Sequence, residues 1–381
     1  MKDHRPCHFW VALVATVLFA AIVAPACAPA PEQSAEADLP EQRTSAEIAT
    51  QLPTPMIHHI GLNVVDPSVS MEWYQKVWLE GEPSTINEKP ALKSTVRGSN
   101  PPQDFFHIFN QVDEPAPGKW DFDRHRVTPQ SPFWHIGIYA DTTTMKAELE
   151  EVGVTTVPLY KTDGDPEEIW RSNESPWPGS LKLAQQAETE QQPPRPGGFG
   201  YFIGPDGELV EASGRPQSAR GFSHVHFLHE QPWCAAQWYI DHLGMQPPAQ
   251  RNPATDELVA IEIPNPCDVD VGTPSWTSLE QQGTLRDPRS TVRYGNGTFS
   301  AYSRQCMFGR CDEGDHPLVP SQGQVLDHVG FTIPDLERHV ERLRAAGVAI
   351  LEEIHPFGDT RAAMIADLDG LSIHLVEQNE N

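Results

Sequence analysis

Strand-like runs that lead into amphipathic helical stretches recur along the chain, and two of them share the same internal spacing. Each of these two runs carries a histidine, His59 or His224, and a Trp-Tyr pair begins 14 residues after it. Gly81 and Gly244 follow the helical stretches, as C-cap glycines do. The pattern predicts a strand-helix unit that occurs twice, over 56–64 with Trp73-Tyr74 and over 222–228 with Trp238-Tyr239.

A second strand-helix unit alternates with the first. Its strands contain His135 and His328, each followed two residues later by a glycine, and its amphipathic helices stop at Gly153 and Gly347. The units therefore follow the order A, B, A′, B′, and each opens with a strand that carries a histidine. Further strand-like runs follow the helices at residues 104–110, 200–210, 258–263 and 363–376.

Length and charge limit the fold and the function. A chain of 381 residues is too long for one ordinary core and suits two domains. The net charge of −26, from 27 basic and 53 acidic residues, repels nucleic acid phosphates, and the sequence has no compensating basic stripe. We therefore expect an α+β protein that does not bind nucleic acid.

The amino-terminal residues are typical of a secretory signal. Lys2 and Arg5 precede an apolar run from Phe9 to Ala24, which is short for a membrane span, although an uncleaved anchor helix is the alternative. The stretch before Cys27 resembles a bacterial lipobox, in which that cysteine becomes lipidated. Residues 28–55 are rich in Pro, Ala, Glu, Gln and Ser and predict a flexible linker. We expect a periplasmic or outer-membrane-anchored lipoprotein.

Four further cysteines invite disulfide pairing in an oxidising compartment. Cys306 and Cys311 lie close together in the sequence and are the favoured pair, with two metal thiolates as the alternative. Cys234 and Cys267 would then be the other two.

The order of these motifs resembles the vicinal oxygen chelate superfamily. A His-apolar-Gly strand, a helix with an aromatic pair, and Pro205-Asp206-Gly207 before Glu211 on a closing strand carry the likeness, which covers roughly residues 56 to 380. That superfamily includes glyoxalase I, extradiol dioxygenases, epimerases and bleomycin-resistance proteins. The resemblance implies four βαβββ modules in two paired cupped-sheet domains, one over 56–216 and the other over 217–381.

The resemblance also implies metal ligands on the first and last strands of each module. In the amino-terminal pair these are His59, His135 and Glu211, two imidazoles and a carboxylate that suit a divalent ion. His107 would be a fourth ligand or, alternatively, a histidine in an aromatic-lined cleft. In the carboxy-terminal pair the corresponding residues are His224, His328 and His374, a three-histidine site or a decayed one, with His226 and Glu262 as weaker candidates.

The favoured activity is an extradiol-like dioxygenase that uses Fe(II), with Zn, Mn or Ni as alternatives, on a small molecule, aromatic or not. Tyr201, ten residues before Glu211, matches the signature of that branch and would bond substrate or oxygen. Gly204 departs from the signature, and Gln192, Pro193 and Pro194 fill the region of its acid-base histidine. Two alternatives are a glyoxalase-like lyase or isomerase, in which Glu211 doubles as base, and a metal-free small-molecule-binding protein.

Overall fold

The computed structural model describes twelve segments of the chain: residues 52–78, 81–96, 103–123, 126–157, 198–214, 217–252, 255, 257–260, 267, 289–295, 297–303 and 317–378. The predicted signal, Cys27, nearly all of the linker, and the Cys306 and Cys311 pair fall outside these segments. Within them, no helix has the length and apolar character needed to cross a membrane.

Four helices follow the four strands that carry the histidines. They are α1 (Pro67–Trp78), α2 (Met145–Glu151), α3 (Pro232–Leu243) and α4 (Leu336–Ala345). Several helix ends are capped by side chains or by glycine. Asp66 accepts hydrogen bonds from two backbone N–H groups at the start of α1, and Asp335 accepts one from the Arg338 N–H at the start of α4. Gly244 ends α3 at φ 74°, the left-handed conformation predicted for a C-cap glycine.

Nineteen strands are present in the described segments. They are β1 (Met56–Val64), β2 (Glu82–Ile86), β3 (Lys89–Thr95), β4 (Asp104–Gln111), β5 (Lys119–Asp121), β6 (Arg126–Thr128), β7 (Phe133–Tyr139), β8 (Thr156–Val157), β9 (Gly198–Ile203), β10 (Leu209–Gly214), β11 (Gly221–His229), β12 (Ala249–Arg251), β13 (Leu258–Ala260), β14 (Arg289–Tyr294), β15 (Gly297–Ser303), β16 (Leu326–Ile333), β17 (Ala349–Phe357), β18 (Thr360–Ala366) and β19 (Ser372–Glu377).

Two large mixed sheets contain most of these strands, which confirms the α+β class. The eight-stranded sheet has the order β17-β18-β19-β16-β1-β4-β3-β2, and the seven-stranded sheet has the order β14-β15-β11-β7-β10-β9-β8. Hairpins β5-β6 and β12-β13 stand apart. In each βαβββ unit the last strand lies parallel to the first, as β4 does to β1 and β19 to β16. In the third unit, the strand expected after α3 is reduced to a single bridge between Gln246 and Arg293.

The pairing of units differs from the predicted one. We expected residues 56–216 and 217–381 to form separate domains, each from two neighbouring units. Instead β1 of the first unit pairs antiparallel with β16 of the fourth, and β7 of the second pairs with β11 of the third. Each large sheet therefore combines strands from both sides of the predicted boundary. The repeat A, B, A′, B′ identifies units but holds no information on which first strands become neighbours.

One core is shared by both sheets. All four helices contribute to it, through side chains such as Tyr74, Met145, Tyr239 and Val340, and so do apolar residues from both sheets. Phe105 and Phe222, from different sheets, stack with ring centroids 4.0 Å apart. The shared core therefore covers one face of each sheet.

The repeated Trp-Tyr pair has a clear structural role in this core. Tyr74 of α1 donates a 2.8 Å hydrogen bond to the buried Glu208 carboxylate before β10. Tyr239 of α3 donates a 2.5 Å bond to the buried Asp367 before β19. Each tyrosine thus joins a helix next to one sheet to a turn of the other, and each satisfies a buried carboxylate that would otherwise destabilise the fold.

Cys234 and Cys267 form a disulfide. This bond uses the two cysteines that were expected to remain beside a Cys306–Cys311 pair, and Cys306 and Cys311 themselves lie outside the described residues.

Candidate metal centres

A register shift precedes each of the four strand histidines. Where β1 pairs with β16, the extra residues are His58 and Asp327, directly before His59 and His328. Where β7 pairs with β11, they are Trp134 and Ser223, directly before His135 and His224. A bulge re-aims the neighbouring side chains, and here the same device recurs at every histidine that the repeat singled out.

The glycine that follows three of the strand histidines by two residues is required for steric reasons. A Cβ on Gly61 would lie 2.0 Å from the His328 ring, one on Gly330 would lie 2.1 Å from the His59 ring, and one on Gly137 would lie 2.3 Å from the His224 ring. The His-apolar-Gly motif therefore makes room for the imidazole of the opposite strand. The third unit departs from it, because His226 stands where the glycine would be and lies opposite His135.

In the seven-stranded sheet these features assemble the Glu211 site, which consists of His135, Glu211, His224 and His226. One donor atom from each lies within 4.8 Å of the others. His135 Nε2 is 3.2 Å from Glu211 Oε2 and 3.0 Å from His226 Nδ1. His224 Nε2 is 3.3 Å from Glu211 Oε1. Both carboxylate oxygens of Glu211 thus face imidazole nitrogens.

Charge and burial favour ligation at this site. Burial alone would raise the pKa of Glu211, but the charge of His224 and the hydrogen bonds from His135 and His224 outweigh it, so the pKa lies well below its usual range. Burial lowers the pKa of His135 more than Glu211 raises it. An ionised carboxylate beside a neutral imidazole is the protonation state that a divalent ion requires.

In the eight-stranded sheet the three-histidine site consists of His59, His328 and His374. His59 Nε2 is 3.2 Å from His374 Nδ1, and the ring centroids of His59 and His328 are 5.2 Å apart. All three side chains are buried. Burial, together with the neighbouring histidines, lowers the pKa of both His59 and His374 well below the ordinary value, so these rings are neutral.

The bulge residues orient three of the four strand histidines. Asp327 Oδ1 lies 2.6 Å from His328 Nδ1, and Ser223 Oγ and His58 Nδ1 each lie 2.8 Å from Nδ1 of the next histidine. Such a contact fixes the ring and directs Nε2 into the site. Trp134 does not do this for His135, whose buried Nδ1 has no hydrogen-bond partner.

The structure groups the predicted site residues differently from the sequence. His59 lies with His328 and His374, whereas His135 and Glu211 lie with His224. The predicted set of His59, His135 and Glu211 is therefore split between two sheets, as is the predicted set of His224, His328 and His374. The cause is the antiparallel pairing of first strands, which sets the histidines of the first and fourth units side by side, and those of the second and third.

His107 does not reach either site. It pairs with Ile60 across β4 and β1, on the helix side of the sheet, and its ring lies 4.6 Å from that of Trp78 and 5.2 Å from that of Tyr74. Burial lowers the pKa of His107 to about 3. The alternative reading, a histidine among aromatic residues, is the one that the structure supports.

Tyr201 lies beside the Glu211 site. It stands directly opposite Glu211 in the β9–β10 pair, and its ring centroid is 5.3 Å from that of His135. A second apolar cluster surrounds this position, with partly exposed Phe199, Tyr302 and Leu318 at its edge. The site therefore lies beside a cluster rich in aromatic side chains.

From the sequence, His226 is only a weaker candidate ligand, whereas the structure places it in the Glu211 site. The signal was present, since His224-Val225-His226 is the one unit in which the His-apolar-Gly motif has lost its glycine. Its meaning depends on knowing that this glycine faces a ligand from the opposite strand.

The donor sets fit a divalent ion. Three imidazoles and a carboxylate, or three imidazoles alone, are ordinary ligands of zinc, iron, nickel and manganese. The buried His374 Nε2 has no hydrogen-bond partner, which fits a donor atom that is left for an ion.

Comparison with known proteins supports this fold. Residues 221–375 match the family model of the Glyoxalase/Bleomycin resistance protein/Dioxygenase superfamily. Glyoxalase I from Zea mays matches the chain with a TM-score of 0.50 and 13% identity, over 86% of this chain and 94% of that one. The likeness in fold to that glyoxalase I therefore extends well before residue 221.

Shorter proteins of known structure match less of the chain. A glyoxalase/dioxygenase from Nostoc punctiforme matches with a TM-score of 0.25 and 16% identity, over 42% of this chain and 92% of that one. No curated protein sequence matches the chain.

Proposed function

We propose that this protein is a divalent-metal-dependent enzyme that acts on a small molecule at the Glu211 site. The observation that carries the proposal is the convergence of His135, His224 and Glu211, from three neighbouring strands, with donor atoms 3.2–3.3 Å apart. Ligand atoms that bind one ion at about 2.1 Å and at right angles to each other are about 3.0 Å apart, which is close to this spacing.

The residues of the site would bind the ion and the substrate. His135 and His224 would hold the ion as neutral ligands, and Glu211 would add the negative charge. A bound divalent ion supplies Lewis acidity toward neighbouring oxygen atoms of a substrate. Phe199, Tyr302 and Leu318 provide an apolar wall that favours a substrate with a flat or apolar part.

An extradiol-like dioxygenase is one candidate reaction. Two histidines and one glutamate form the facial set that leaves positions for substrate and oxygen, and Tyr201 lies opposite Glu211 as that branch requires. Fe(II) would be its metal. Tyr201 would donate a hydrogen bond to substrate or oxygen rather than bind the ion.

A glyoxalase-like lyase or isomerase is the other candidate, and His226 favours it. A fourth donor at 3.0 Å from His135 leaves fewer positions open for oxygen. In this reaction Glu211 would also move a proton on the substrate, and zinc, nickel or manganese would serve in place of iron.

We also propose that the protein works in the periplasm or at the outer membrane. The Cys234–Cys267 disulfide supports an oxidising compartment, in line with the signal and Cys27 expected from the sequence.

Metal content tests the proposal. The purified full-length protein, the double variant His135→Ala/Glu211→Ala and the control His242→Ala would each be loaded with Zn²⁺, Ni²⁺ or Fe(II), desalted and measured by mass spectrometry. We expect the double variant to lose one ion per chain, because loss of two ligands removes most of the affinity, and the control to keep it. Equal metal in all three proteins would overturn the proposal and point to the three-histidine site, whereas a native protein that takes up no metal would favour a metal-free binding protein.

Turnover then separates the two reactions. Metal-loaded protein would be assayed for oxygen uptake on a panel of catechols under air, and for proton exchange on α-hydroxycarbonyl compounds without oxygen. Oxygen uptake that requires Glu211 would support the dioxygenase, whereas exchange without oxygen would support the lyase or isomerase.

A further inference from the structure

Strand register shows where the last strand of each unit contributes to a site. In the second unit Glu211 lies opposite Gly137, and in the fourth unit His374 lies opposite Gly330. Each of these glycines is the second residue after the strand histidine. The last strand therefore supplies its donor from one fixed position in each unit.

In the other two units that position holds no ligand of this kind. In the first unit it is Ile108, which lies opposite Gly61. In the third unit it is Ser300, which lies opposite His226, and its hydroxyl is 3.0 Å from Thr291 Oγ1. Neutral serine is not among the usual side-chain ligands of divalent zinc or iron. The last strand of the third unit thus leaves the Glu211 site one donor short.

His226 lies where it can replace that donor. It is the cross-strand neighbour of Ser300 and occupies the place of the glycine, so the change of one residue type brings an imidazole to the site from the first strand. Its Nδ1 is 3.0 Å from His135 Nε2, close to the 3.2 Å and 3.3 Å that separate the other adjacent donors. Its ring centroid is 4.1 Å from that of His224.

The His226–His135 contact is better explained by a shared ion than by a hydrogen bond alone. His135 Nε2 also faces Glu211 Oε2 at 3.2 Å, so two groups converge on one nitrogen that has a single proton or a single lone pair. The other nitrogen of His135, Nδ1, is buried and has no partner. A metal at the point where these groups meet would bind all of them at once.

We propose that His226 is the fourth protein ligand of the Glu211 site and replaces the donor that Ser300 does not supply. This inference rests on the proposed function, since it assumes an ion bound by His135, His224 and Glu211. If the ion were six-coordinate, four protein ligands would leave two positions for a substrate that chelates through neighbouring oxygen atoms and none for molecular oxygen. His226 as a ligand would therefore favour the lyase or isomerase over the dioxygenase.

Three variants test the assignment. His226→Gly restores the glycine that the other units have, and His226→Asn keeps a polar side chain in case the glycine weakens the strand. The double variant His226→Gly/Ser300→Glu returns a carboxylate to the position that Glu211 occupies in the second unit. Full-length protein would be titrated with Co²⁺ by calorimetry, and its visible absorption spectrum would be recorded. Zn²⁺ competition would then give the affinity for that ion.

We expect His226→Gly and His226→Asn to weaken Co²⁺ binding roughly 100-fold or more, because even partners outside the coordination sphere alter affinity 10–100-fold. The visible band should shift, because the ligand set changes, and the double variant should recover affinity. Circular dichroism melting would show that each variant is folded. An unchanged affinity and spectrum in both single variants, while Glu211→Gln still loses the ion, would overturn the assignment but keep the proposed function. A native protein that binds no Co²⁺ would overturn both.

Discussion

The two sites occupy equivalent places in their sheets and differ in chemistry. Both are built where two first strands pair antiparallel, with a bulge before each strand histidine. The three-histidine site carries no acidic group among its donors, whereas the Glu211 site has a carboxylate and a third imidazole from His226. The repeat therefore determines the positions of the metal-binding side chains, and a few residue differences between the units determine which side chains occupy them.

Their surroundings differ as well. The three-histidine site lies beside a small apolar cluster that includes Ile108 and Phe357, and the Phe357 ring is 4.7 Å from that of His374. The Glu211 site lies beside a larger cluster rich in aromatic side chains, including Trp134 and Tyr201. The comparison places the aromatic surface at the site with the mixed donor set, which is where we expect substrate chemistry.

The largest expected effect comes from removing a ligand of one site only. His374→Ala should abolish metal binding at the three-histidine site, a loss of roughly 100-fold or more in affinity, and leave the Glu211 site intact. Mass spectrometry of the metal-loaded variant should then show one ion fewer per chain than the native protein. If both ions disappear together, the sites are not independent and the comparison fails.

The next effect is a change of stability with pH. It comes from Glu208 and Asp367, the buried carboxyl groups that Tyr74 and Tyr239 bond between the sheets. Burial raises the pKa of Glu208 to about 7, from 4.5 in a free side chain, even though the Tyr74 hydrogen bond lowers it. Between pH 4.5 and pH 7 the folded protein keeps a proton that the unfolded chain has lost, so stability falls as the pH rises. The loss should reach about 3 kcal/mol. Burial also raises the pKa of Asp367, the carboxyl that accepts from Tyr239, which acts in the same direction.

Urea unfolding at pH 5 and pH 8 measures this effect. Glu208→Gln should reduce the difference in unfolding free energy between the two pH values, because the amide does not titrate. Glu257→Gln, an exposed position, serves as the control and should keep the native difference. An undiminished difference in Glu208→Gln would show that other groups cause the pH dependence.

A smaller effect should follow from the bulge residues. The Asp327 carboxylate contacts His328 Nδ1 at 2.6 Å and is itself held by Asn63 Nδ2 at 3.0 Å and by the Gly323 N–H. Asp327→Asn should weaken metal binding at the three-histidine site about 10–100-fold. Ser223→Ala should have a smaller effect at the Glu211 site, because a neutral hydroxyl polarises the ring less. Calorimetric titration would measure both losses, and an unchanged affinity in both variants would show that the bulge contacts do not orient the ligands.

The sequence predicted the units and their strand histidines because both are local. Hydrophobic periodicity located the helices, and the spacing from His59 to Trp73 matched that from His224 to Trp238. Tyr201 and Glu211, which the sequence singled out by their spacing of ten residues, lie opposite each other in one hairpin.

What the sequence could not predict depends on contacts between distant parts of the chain. The choice of β16 rather than β7 as the neighbour of β1 moved His59 away from Glu211, and no local pattern records that choice. His107 lies on the same strand face as Phe105, which alternation predicted, but the sequence did not show that this face meets a helix. His226 can be recognised as a donor only from the structure. Gly137, the matching residue of the second unit, faces His224, so a side chain at this position points into the site.

The nested order of strand pairing has a consequence for how the chain acquires its structure. The seven-stranded sheet uses residues 133–303, a continuous middle stretch, whereas the eight-stranded sheet joins β1 to β16, about 270 residues later. During synthesis from the amino terminus, the middle sheet has all its strands available first, while β1 to β4 wait with an unpaired edge. Closing so long a loop slows folding. A chaperone that shields β1 would therefore act on the incompletely folded chain before the three-histidine site exists.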